Sequence, residues 1–270
     1  MSILHKDGKY MLRRLKILWL LTASSAKIAF DSRFGVLLFL IGKVLRFGFF
    51  ILFLLLLLTR TKAIAGYSFW EVLLVYLTFN FIDNTAQLLF RNVYRFRSEI
   101  EQGNFDYSLL RPFPPLVYAL LGGIDPLDLP MFVILLAGII FCMQHIGNLS
   151  LVSIFGYVAL TINGIFIAMA FHIFVLSMGI LTTAIDNTIM LYRDITQMGR
   201  LPVDIYKNPL RGLITFVIPV GIMMTFPVKI LTGLLSFSLI VLAFGIGIVF
   251  FTLSLLCWRY AVRQYASASS

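Results

Sequence analysis

Charge is what this sequence is short of. Only 13% of its 270 residues are Asp, Glu, Lys or Arg, while 60% are hydrophobic, and soluble domains carry about 25% charged residues. A water-soluble globular fold is excluded, because too few polar side chains remain to cover one. Cysteine is nearly missing. Cys142 and Cys257 both lie in apolar runs without C-x-x-C spacing, which excludes a disulfide framework or thiolate metal site and leaves packing as their role. The three histidines, His5, His145 and His172, have no second histidine or carboxylate at the spacing a helical metal site needs. No G-x-x-x-x-G-K-[ST] loop is present to cradle nucleotide phosphates, so any ATP involved must bind another chain. No grouping of nucleophile, base or metal ligands stands out either, and neither bond chemistry nor a cofactor is expected on this chain.

What the sequence does have is long apolar runs. With a window of about 19 residues they fall at Phe34 to Leu58, Phe69 to Phe90, Pro126 to Ile146, Leu151 to Thr182, Leu213 to Leu235 and Phe237 to Trp258. Each is long enough for a hydrocarbon core of about 30 Å. They do not alternate as barrel strands do, and lipid offers open backbone groups no partner, so they must be helices. The expected fold is all-α, a single polytopic membrane domain over residues 1–270.

The scarce charge is unevenly placed. Lys6, Lys9, Arg13, Arg14, Lys16, Lys27 and Arg33 precede the first run; Arg91, Arg95, Arg97 and Arg111 follow the second; Arg259 and Arg263 follow the last. By the positive-inside rule these segments and both termini are cytoplasmic, with Arg60 and Lys62 in a loop on the other side. The net charge of +10 is accounted for by anionic lipid headgroups beside the spans and requires no nucleic acid. Too many charges precede the first run for a cleaved signal peptide, so the N-terminal segment 1–33 is expected to stay, with Lys9 to Phe30 either a helix lying on the cytoplasmic leaflet or a charged cytoplasmic extension of the first span.

Some charges fall within the runs. Lys43 and Arg46 interrupt the first, either snorkelling to the interface or facing a polar interior where they pair with Asp83, which together with Asn84 interrupts the second. The segment Asp186 to Arg211, DNTIMLYRDITQMGRLPVDIYKNPLR, is polar for a span, yet Pro219 and Pro227 break the apolar run after it. Two topologies fit. Either Leu213 to Leu235 is the fifth crossing, or it is a broken, re-entrant element; both return the tail to the cytoplasm.

The most compact charged stretch is Arg91 to Pro115, RNVYRFRSEIEQGNFDYSLLRPFPP. Its continuation IEQGNFDYSLLRPFPPLVYALL, the later GRLPVDIYKNPLRGLITFVIPVGIMMTFPVKILTG and the tail WRYAVRQYASASS together resemble the small six-helix permeases of the type 2 ATP-binding-cassette (ABC) exporter class, the ABC-2 family transporter proteins. The ordered elements that carry the resemblance are Gly103, Asp106, Leu109, Leu110, Arg111 and Pro112; then Arg200, Pro202, Ile205 and Tyr206; then Pro219 and Pro227; and finally Trp258 and Tyr265. Thr183 departs from the pattern, where relatives often carry tryptophan.

The resemblance implies a permease that works with a second permease chain, identical or homologous, above two ABC ATPase subunits that hold ATP and Mg. It implies a bacterial plasma-membrane location and outward movement of a hydrophobic or amphipathic solute. It favours a fifth span starting near Asn187, which places Arg193 and Asp194 within the membrane, and a re-entrant region over 201–235 on the outer side containing Pro202, Tyr206, Pro219 and Pro227. On this reading residues 91–115 are the ATPase-coupling loop. Phe96, Ile100, Phe105 and Leu109 are its expected apolar knobs, with Arg95, Arg97, Glu99 and Glu101 on the rim. Gly103 permits a turn, Pro112 and Pro114 fix the exit, and Arg111 braces the loop through Asp106 or Glu99. The other readings are a secondary transporter driven by an ion gradient and a membrane anchor for a complex.

Overall fold

The computed structural model describes residues 16–17, 19–24, 26–27, 33–61, 63–111, 113–147, 149–182 and 185–265. The expected interfacial helix Lys9 to Phe30 lies largely outside them. Its described residues are helical, with Trp19 and Leu20 exposed. In chain order the helices used below are α1 (Arg33–Thr61), α2 (Phe69–Leu89), α3 (Phe96–Glu101), α4 (Asn104–Leu110), α5 (Pro115–Leu121), α6 (Leu129–Met143), α7 (Leu151–Thr182), α8 (Ile185–Gln197), α9 (Val220–Met224), α10 (Phe226–Leu231) and α11 (Phe237–Gln264). Among the described residues five helices are long and apolar enough to cross a membrane: α1, α2, α6 with the turn before it, α7 and α11.

Local sequence explains where these helices start and stop. At the head of α2, Glu71 Oε2 accepts the Ser68 backbone N–H at 2.7 Å, satisfying one of the free donors of the first turn. α5 and α6 each begin with proline in the first turn, where its missing N–H costs nothing. The run Leu213 to Leu235 does not form a continuous helix. A π-helical turn, Leu213–Val217, ends at Pro219, α9 follows, and α10 starts anew with Pro227 in its first turn. Each proline removes a backbone donor and clashes with the preceding turn, so the run breaks into pieces too short to span.

α2 and α7 form the centre. α2 is buried along most of its length and packs on α6, α7 and α9, while α7 also carries α8, α10 and α11. At 32 residues α7 is about 48 Å long, longer than the hydrocarbon core is thick. Small residues allow the closest approaches. A side chain at Gly164 of α7 would meet the Met223 carbonyl oxygen at 2.9 Å, so this glycine is what admits α9 to the middle of the bundle. α1 and α11 bury narrow faces and expose bands that include Leu38, Phe49 and Leu56 on α1 and Val241, Ile248 and Leu256 on α11.

The polar segment 186–211 is largely helical. α8 folds back along α7, with Tyr192 set against Phe171 and His172 at ring separations of 5.3 and 4.9 Å. It ends in the turn Met198–Arg200, where Gly199 lies beside Val220 and Met224. α8 and the turns after it thus connect two ends of the bundle, one marked by Asp186 beside Arg97, the other by Asp204 beside Tyr67.

Candidate functional site

At one end of the bundle, α3 and α4 form a small helical hairpin. Gly103 joins them with φ 70°, a left-handed conformation that L side chains rarely adopt. A Cβ there would meet nothing within 4 Å, so the demand for glycine comes from the backbone and not from space.

The hairpin is seated by aromatic rings. Phe96 and Phe105 pack edge to face at 5.2 Å, Phe105 meets Tyr265 at 5.1 Å and Trp258 at 6.2 Å, and Phe96 lies 6.3 Å from Trp258. Two stretches far apart in the sequence, 96–105 and 258–265, therefore form one cluster. This corrects the expectation for the knobs: Phe96, Ile100 and Phe105 face the chain's own core, and Leu109 is half-buried. The reason is that α11 brings Trp258 and Tyr265 beneath the hairpin, and the rings lose more water by stacking there than by pointing outward. The apolar side chains that do project are Tyr107, 64% exposed, and Leu110, 83% exposed, residues whose outward direction hydropathy could not show.

Around them lie Arg95, Arg97, Glu101, Gln102, Asn104 and Arg111, all exposed. Arg97 bonds Glu101 at 2.7 Å within α3 and also pairs with Asp186 at the start of α8, tying the hairpin to that helix. The Arg97 guanidinium is held above its usual range by these hydrogen bonds to Glu101 and Asp186. The Arg111 guanidinium lies over the Tyr118 ring at 5.5 Å, and its charge acts on Glu99. Burial pushes the Glu99 carboxyl up, while the Tyr118 hydroxyl and the Arg111 charge pull it the other way. Asp106 faces Tyr265. Pro112 lies outside the described residues.

A second polar group sits between α1, α2 and α6. Lys43 pairs with Asp128, not with Asp83, and Asn84 donates to the Asp128 carbonyl at 3.0 Å. Asp83 accepts the Gln87 amide at 2.7 Å. Arg91 reaches Asp125 at 3.3 Å. Arg46, Arg193 and Asp194 are exposed. Asp128 and Asp125 were not among the candidates drawn from sequence; an acidic pair directly ahead of an apolar run is the signal that was available.

At the opposite end, Asp204 gathers three partners. Tyr67 donates to Oδ2 at 2.7 Å, Lys229 to Oδ1 at 2.9 Å, and Arg211 pairs with the same carboxylate. Burial opposes the charge, but the bonds from Lys229 and Tyr67 and the charges of Lys229 and Arg211 outweigh it and hold the Asp204 carboxyl below its usual range. Tyr67 is pushed upward by burial and by its bond to Asp204. Of the expected residues here, Pro202, Pro219 and Pro227 are buried, and Tyr206 donates to the Met198 carbonyl at 3.2 Å. Arg200 lies over the Phe79 and Phe50 rings at 5.6 and 6.0 Å.

Long apolar helices around a buried central pair, with ionic clusters confined to a few places, define an integral membrane protein of the helical-bundle class. The profile of the ABC-2 family transporter proteins matches residues 44–269, and the chain belongs to that family. It is the family's transmembrane permease component rather than its ATPase. No curated protein and no solved structure matches the chain.

Proposed function

We propose that this chain is the membrane subunit of an ATP-driven exporter. Two permease chains, identical or homologous, form the path; two separate ABC ATPase subunits bind ATP and Mg and dock on the α3–α4 hairpin. A hydrophobic or amphipathic solute moves outward across a bacterial plasma membrane. Both termini and residues 91–115 are cytoplasmic, α8 with its terminal turn is the fifth crossing, and residues 201–235 form a re-entrant region at the outer side. The Arg97–Asp186 ion pair at the head of α8 supports that crossing, since a paired charge at a helix start suits the surface of a membrane better than its interior.

The observation that carries the reading is the mechanical seat of the hairpin. It projects Tyr107 and Leu110 outward while Arg97 ties it to α8 and the Trp258 and Tyr265 rings tie it to α11. A push on the exposed face is therefore delivered to α8 and α11 at once. ATP shifts the permease between conformations only through the ATPase's differential affinity for them. The test is purification of the full chain from its host with its partners. An ABC ATPase should copurify with the unmodified chain and be lost from the Tyr107→Asp/Leu110→Asp variant. Copurification undiminished in that variant would reject the docking face.

A further inference from the structure

A cavity of about 450 Å³ opens beside α1 at the level of the Arg91 turn, and its wall carries Lys43, Arg46, Arg91 and Arg193. Two of the four cations have carboxylates, Lys43 with Asp128 and Arg91 with Asp125. The other two, Arg46 and Arg193, form no ion pair among the described residues. The remaining carboxylate nearby, Asp83, lines a smaller adjoining space and is engaged by Gln87. One carboxylate for two guanidinium groups leaves an excess of positive charge lining the cavity, which favours an anion there.

We infer that this cleft is a binding site for the phosphodiester headgroup of an anionic lipid. Guanidinium groups suit a phosphate, because their donors match its oxygens in pairs. The lipid source is favoured by the rest of the wall. Leu38 and Phe39 line the opening, and Leu37 and Ile41 continue an exposed apolar strip on α1 where acyl chains can lie. Arg91 directly follows the last residues of α2, and α1 contributes its first half, which puts the cations at headgroup depth beside the 91–115 loop. The site is separate from the hairpin face and does not depend on ATP coupling.

The test equilibrates the purified full chain with mixed micelles holding equal phosphatidylglycerol and phosphatidylcholine, and counts retained lipid by native mass spectrometry. The unmodified chain should retain phosphatidylglycerol in preference, and Arg46→Gln/Arg193→Gln should lose about tenfold of that preference. A control pair that removes equal charge elsewhere, Arg60→Gln/Arg259→Gln, should keep it. Gly42→Leu, which fills the cavity without removing charge, should also weaken retention; a Cβ at Gly42 meets nothing within 4 Å and the space beyond is the cavity itself, so this variant is expected to fold even where the glutamine pair does not. Undiminished preference in both cleft variants, or equal loss in the control pair, overturns the site. Inorganic phosphate displacing the lipid completely at equal concentration would identify a soluble anion as the ligand and overturn the lipid assignment. Because the readout is lipid retention, either result leaves the ATPase-docking proposal untouched.

Discussion

The hairpin at one end of the bundle and the Asp204 region at the other are both built from short helices, yet different forces hold them. Around α3 and α4 the contacts are aromatic, Phe96 and Phe105 on Trp258 and Tyr265, with ion pairs left exposed at the edge. α9 and α10 are buried within the bundle, and a half-buried carboxylate bonded by tyrosine and lysine fixes the turns beside them. The difference lies in what each segment packs against. The small hairpin holds by taking its rings out of contact with solvent, which stabilises by about 25 cal/mol per Å² of apolar surface removed from water. Inside the bundle, close packing through small residues such as Gly164 admits the segment, and the directional polar bonds of Asp204 add to that order.

The comparison is broken most strongly by Trp258→Ala. Removing the shared platform of Phe96 and Phe105 should cost about 3–5 kcal/mol at that end, read as a lowered unfolding midpoint in detergent together with loss of the copurifying ATPase. Next is Asp204→Asn, which leaves Lys229 and Arg211 without a counter-charge. About 2 kcal/mol should be lost, with ATPase copurification intact, since the hairpin is far from it. The same clamp predicts a pH response. A carboxyl depressed in the folded state stabilises fully above its unfolded value of about 4, and that stability is lost as pH falls through the depressed folded value. Unfolding midpoints measured downward from pH 6 should show this acid limb in the unmodified chain and a shallower one in Asp204→Asn. The smallest effect on stability is expected for Gly103→Ala, about 1 kcal/mol from the left-handed backbone. Its larger effect is on transport per ATP hydrolysed, which should fall while hydrolysis persists.

Much of the fold was legible because hydropathy reports solvent directly. The runs at Phe34, Phe69, Pro126, Leu151 and Phe237 each became a helix near its expected bounds, and Pro219 and Pro227 marked where the remaining run breaks. The left-handed turn at Gly103 was also readable, from the residue type alone. Side-chain direction was not. Phe96 and Phe105 look the same in one dimension whether they face a partner or Trp258, and the ring that decides comes from the far end of the chain. For Lys43 the sequence left open the interface or Asp83, the acidic residue inside the next span, whereas the bundle brings it to Asp128 at the head of a later helix. Gly164 gave no signal either, since a glycine within an apolar run shows its purpose only when Met223 is found against it.

The central claim is that the ATPase meets the exposed face of the hairpin and not another surface. It is tested most directly by placing a photo-crosslinking amino acid singly at Tyr107, at Leu110 and, at the opposite end, at exposed Ile205, in the full chain within its host membrane. The account predicts that residues 107 and 110 crosslink to an ABC ATPase and that 205 does not. Crosslinks absent at both hairpin positions while the ATPase still copurifies, or present at 205, would contradict it.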